Sequence, residues 1–327
     1  MSDGAEVVDR RSRVVIAGDV TLDWNVADTS PASTTGSWSG EQHASISFEP
    51  GGACMLASLA AATIDARVHR VPGGTPPRPD DRRLHHSTAA WAPYATVRGS
   101  GARVWRVSNY LGLARRDETR PHSPEWSEIP DDPEDPDLLL LDDGGLGFND
   151  DRRLWPRSIR EDGTRGPSVV VLKTSDPFGR NALFERLLQL DVPRLVVVTT
   201  VGNIRRSGVE VSRGLSWESS AESLARALSS ATELAPLAAA ADVVVSFGAA
   251  GALVTPRRRE EKTAISRLVF DPVEMEGSWE ADRPGGMIGA TTCLTAGIAS
   301  VLASTHVDDG LIEGTRRGIT GLRALHA

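Results

Sequence analysis

Three sets of residues in this 327-residue chain have types and spacing that could do chemistry. The first is Asp142-Asp143-Gly144-Gly145-Leu146-Gly147-Phe148, directly after the apolar run Leu138–Leu141. If that run is a parallel strand, the loop lies at its carboxyl end, where α/β sheets bind ligands. Its acids suit a hydroxyl or a metal and its glycines allow close approach; the plainer reading is a flexible turn. Its glycine spacing does not fit a dinucleotide fingerprint, and no helix clearly follows. The second set is cationic. Lys173 ends the run Ser168–Leu172, and Arg205, Arg206 and Arg213 lie further on. Each could meet a phosphate, or could simply face solvent. The third is Asp19 and Asp23, two carboxylates after Val14–Ala17 that could face a cleft; Asp23 could equally cap a turn.

Other chemistries are not supported. The seven histidines have no metal spacing, and no Ser-His-Asp or nucleophile-elbow pattern stands out. Cys54 and Cys293 form neither a disulfide framework nor a zinc motif. Trp217 could cover a ligand or act as a packing anchor.

Positioning such groups falls to short apolar strands alternating with helices. Val14–Ala17, Ala102–Val107, Leu138–Leu141, Ser168–Leu172, Arg194–Thr199 and Asp242–Ser246 read as strands. Helices are expected over Ala53–Ile64, Asn181–Leu190, Ser219–Ser229 and Gly289–Ser304. His43–Phe48 alternates like an edge strand, while Thr29–Gly40 and Val71–Arg83 read as loops. Arg115–Asp137 is rich in Pro and acids and has no apolar period. The fold class is therefore α/β: a mostly parallel central sheet with helices on both faces. A small β lid is expected at about 29–50 within a single domain spanning 1–327.

Composition sets outer bounds. Apolar residues are 40%, charged residues 24% and aromatics 5%, so aliphatic side chains must build the core. A net charge of −8 argues against nucleic acid or an anionic membrane as a partner. Neither a membrane span nor a signal peptide is visible. With two distant cysteines, a reducing cytoplasm is the expected location.

Four ordered segments resemble the ribokinase (PfkB carbohydrate kinase) family: Val14–Asp23, Pro50–Ala57, Val243–Val254 and Gly289–Gly297. The resemblance implies a ribokinase-like fold, ATP or ADP as nucleotide, and a sugar- or nucleoside-like substrate. It places Asp23 on substrate hydroxyls with Asn25 beside it, and Gly51 and Gly52 against the substrate. Gly248 and Gly251 would border the adenine. Gly289, Ala290, Thr291 and Thr292 would cradle an anion with backbone N–H groups at a helix start. Asp142 and Asp143 join the substrate candidates from their position alone. Arg213–Glu218 with Gly321–His326 is also similar to bacterial ribokinase-like proteins fused to ryanodine-receptor-type repeats. That similarity implies a companion domain, fused or as a partner; the family resemblance leaves a homodimer open.

Two departures from the family pattern bear on activity. Aligning Ala296-Gly297 with the family's Ala-Gly puts Thr292 where the catalytic Asp belongs, and a hydroxyl is a poor base near neutral pH. Cys293 could substitute only if the register shifted by one residue. At the family's metal-linked Asn-x-x-Glu, the chain reads Asn203-Ile204-Arg205-Arg206, with Arg206 in place of Glu. A cation there does not organise Mg²⁺, so no metal site is assigned. The expectation is a catalytically impaired, ligand-binding pseudokinase or sensor. The alternatives are an active kinase with a relocated base, and a protein-interaction module without nucleotide.

Overall fold

Apolar runs of nearly equal length pair side by side in the computed structural model, and their alternation decides which helices cover them. The structure describes residues 13–28, 43–64, 67–71, 95–99, 102–107, 135–145, 148–149, 152, 155–161, 166–176, 182–190, 192–206, 208–211, 216–230, 234–257, 266–269, 289–303 and 310–326. The expected loops Thr29–Gly40 and Val71–Arg83 lie outside these residues apart from Val71, and so does most of Arg115–Asp137.

The larger sheet has eight strands. They are β1 (Arg13–Gly18), β4 (Arg67–Val71), β7 (Leu138–Asp143), β8 (Val169–Thr174), β9 (Arg194–Thr200), β10 (Asp242–Ser246), β11 (Ala252–Thr255) and β12 (Arg267–Val269). Their order is β12-β11-β10-β9-β8-β7-β1-β4. The six strands from β4 to β10 are parallel, and β11 and β12 add an antiparallel edge. From β1 the chain builds outward to β4, and from β7 it builds the other way to β10. The order therefore reverses between β1 and β7.

Period-2 alternation sorts the sheet's side chains between two cores. Val15, Leu139, Leu141, Val170, Leu172, Val197 and Val245 pack on one side with α2 (Arg157–Arg160), α3 (Ala182–Gln189), α4 (Val201–Arg206), α5 (Trp217–Ser230) and α6 (Ala235–Ala240). Val14, Ile16, Leu138, Leu140, Val171, Val198 and Val244 face α1 (Ala53–Thr63), α7 (Ala290–Leu302) and α8 (Gly310–His326). Burial on both faces explains why these strands read as continuous apolar runs rather than alternating ones. The expected α/β class, with a mostly parallel sheet and helices on both faces, is what the chain forms.

A second sheet has four strands in the order β3-β2-β6-β5: β2 (Val20–Asp28), β3 (His43–Gly52), β5 (Ala95–Gly99) and β6 (Ala102–Val107). All its pairings are antiparallel. This lid draws on more chain than the expected 29–50, because 20–28 is a strand in its own right and β5–β6 form a hairpin that joins β2. His43 does begin an edge strand, as its alternation implied.

Helix α8 was not anticipated. It lies against α7 backbone to backbone: a Cβ added at Gly318 would be 2.6 Å from Leu294 Cα, and one at Gly314 would be 2.6 Å from Ile298 Cα. Eleven of the thirteen residues of α7 are buried, so its Ala-rich, apolar sequence is that of a helix enclosed by sheet and neighbouring helices.

Candidate functional site

In open α/β sheets, ligands bind beyond the carboxyl ends of the strands where strand order reverses. Here that point is the crevice between β1 and β7, with Gly18 paired to Asp142. Gly18 has φ 151°, and any Cβ there would collide with the backbone of Asp142. Only glycine lets the two strand ends approach this closely.

Asp19 follows Gly18 and is 3% exposed. Its backbone N–H donates to Asp142 O at 2.8 Å, and its own carbonyl accepts from Ala53 N at 2.8 Å. Its carboxylate accepts from Gly144 N (2.9 Å) and Phe148 N (3.1 Å). The Phe148 ring is buried, and Trp155 Nε1 donates to Phe148 O at 2.8 Å. The acidic loop after β7 is thereby tied down at Gly144 and Phe148; residues 146–147 lie outside the described ones.

Strand alternation separates the two acids of that loop. Asp142 continues the Leu138, Leu140 face toward α1 and α7, and Lys173 continues Val169, Val171 on the same face. The register places them opposite each other, and Lys173 Nζ lies 2.6 Å from Asp142 Oδ2. The Asp142 side chain is 1% exposed and that of Lys173 18%. Asp143 turns to the other face, paired with Thr174. It accepts from Thr174 Oγ1 (2.9 Å) and Gly145 N (3.0 Å). Burial pushes its carboxyl above the usual range, with the two hydrogen bonds pulling the other way. Asp143 is thus part of a turn lock rather than a side chain presented on the α7 face.

Helix α7 begins beside this pair. Gly289 caps it in the left-handed region at φ 75°, a conformation glycine adopts without the cost of a Cβ. No acid stands in the first turn. Thr292 is buried, Thr291 is half-buried, and the carbonyl of Thr291 accepts from Thr295 Oγ1 at 2.7 Å. Cys293 packs with Ala290, Leu322 and Leu59. Burial pushes its thiol up to about 11, while the Lys173 ammonium pulls it down. Lys173 stands on the face of β8 that α7 packs against. A thiol so buried is neither a base nor a ready nucleophile at neutral pH.

The remaining candidates divide between two places. Gly248, in the short 3-10 turn Gly248–Ala250, donates its N–H to Ser246 Oγ at 3.1 Å. That turn packs against both α7 and α8. At Gly251, a Cβ would lie 2.8 Å from the Trp217 ring. Gly251 therefore serves packing, and Trp217 is an anchor whose ring centroid is 5.8 Å from that of Phe247. Asp23 and Asn25 lie on β2, opposite Glu49 and Ser47, and Gly51 and Gly52 pair with Thr21 and Val20. Gly52 precedes α1 at φ 61°. These four belong to the lid and its junction with the core.

Asn203 is buried on the face away from α7. Its Nδ2 donates to Thr174 O (3.2 Å) and Thr199 Oγ1 (3.1 Å), and its Oδ1 accepts from Arg206 Nη2. This residue clamps the ends of β8 and β9. Arg205 Nε donates to Val211 O at 3.3 Å, and Arg213 lies outside the described residues. Lys173, which the sequence leaves between a phosphate contact and a solvent-facing residue, is the ion-pair partner of Asp142. Its signal was there: Leu138–Asp143 and Val169–Thr174 are apolar runs of equal length with polar ends, so pairing them in register sets Asp142 against Lys173.

No protein-family profile and no curated protein matches the sequence. Among solved structures, the chain is similar to an adenosine kinase of Trypanosoma brucei brucei (13% identity, 96% of this chain and 98% of that chain, TM-score 0.49). It is also similar to a fructokinase of Vibrio cholerae O395 (15%, 96% and 98%, TM-score 0.46) and a ribokinase of Giardia lamblia (12%, 95% and 92%, TM-score 0.49). All three are of the ribokinase family that the sequence motifs resemble. The architecture described here rests on the chain's own strand order, not on these similarities.

Proposed function

We propose that this chain is a ribokinase-like ligand-binding protein that holds an anionic small molecule, a nucleotide or a phosphorylated sugar-like compound, and does not transfer phosphate. The observation that carries the reading is the first turn of α7. It offers backbone N–H groups at a helix N-terminus beside Lys173, yet Thr292 stands where a base is needed and no acid is in that turn. The Cys293 thiol, pushed up to about 11 by burial, stays protonated at neutral pH. Free N–H groups at a helix start and an ammonium are donors that a phosphate accepts from. Residues that would hold a nucleotide phosphate are Ala290, Thr291 and Thr292 through their backbone and Lys173 through its side chain, with the Gly248 turn alongside.

A thermal-shift screen with ATP, ADP, nucleosides and sugars is expected to raise the melting temperature with at least one phosphate-bearing ligand, since a ligand selective for the native state stabilises it. ADP release on the same panel should stay at background. Turnover that disappears when the Gly289–Cys293 turn is altered would overturn the proposal.

One observation favours a second reading, an active kinase with a relocated base. Asp142 lies on the α7 face of the crevice, at the switch point. Its Oδ2 accepts from Lys173 Nζ at 2.6 Å. Under that reading, turnover would be present and Asp142→Asn would abolish it.

A further inference from the structure

We draw no further inference here: the strongest candidate, the Asp142–Lys173 ion pair at the carboxyl ends of β7 and β8, belongs to the site already described.

Discussion

Asp142 and Asp143 are neighbours in sequence and opposites in situation. One faces α7 and is paired to an ammonium; the other faces the α4 side and is held by a hydroxyl and an amide. The raised pKa of Asp143 has a stability consequence. Its folded form binds a proton more readily than its unfolded form, so stability falls as pH rises from the ordinary aspartate range through the raised folded value. Above that value the cost is fully present, and below the ordinary range it is absent. In Asp143→Asn the new amide could donate to Thr174 Oγ1, whose proton can turn to Asp176 O, already 3.1 Å away. The variant should gain stability relative to wild type at neutral pH, and the gain should shrink as pH is lowered. Urea denaturation at several pH values measures it; a difference that does not change with pH would contradict the burial argument. The sequence showed two acids at a strand end and gave both the same role. Only the pairing of β7 with β8 tells them apart, because alternation sends adjacent side chains to opposite faces.

At the scale of elements, α7 was visible in its Ala-rich run, whereas α8 was hidden by its own glycines. Gly310, Gly314, Gly318 and Gly321 lower helix propensity, which masks the apolar positions Leu311, Ile319 and Leu322 on the buried side, where Thr315 is buried with them. Two of those glycines exist for contact rather than flexibility. Gly318→Ala gains about 1 kcal/mol of helix propensity but forces a methyl into the α7 backbone, where overpacking costs roughly 1–3 kcal/mol. The net is expected to be destabilising, with the helix start at Cys293 disturbed because Cys293 O lies 2.8 Å from the new Cβ. Gly321 has nothing within 4 Å of a built Cβ, so Gly321→Ala should stabilise by about 0.5–1 kcal/mol. Chemical denaturation of the two variants checks the pair; equal effects would mean that the close approach of α7 and α8 is not what those glycines serve. The lid was legible only in part for a related reason. Alternation in His43–Phe48 marks a strand, yet nothing local says that β6, over fifty residues later, pairs with β2.

For the whole molecule, the parallel sheet is the rigid part. Leu139, Leu140, Val170, Val171, Val196 and Val197 are all fully buried between two helix layers. Their amides should exchange only on global unfolding, and those of the antiparallel lid much sooner. Hydrogen exchange followed by mass spectrometry would show this order, and equal protection of both sheets would refute it. The chain enters the lid at Val20 and returns at Gly52, two residues that pair with each other, and the Ala53–Asp19 bond fastens the core ends of both crossings. Asp19 also grips the loop at Gly144 and Phe148 with its carboxylate. At this crossing one residue is both axle and latch. A tilt of the lid about it would reach the crevice floor through Asp19, so a ligand seated there and the posture of the lid would be read by the same pin.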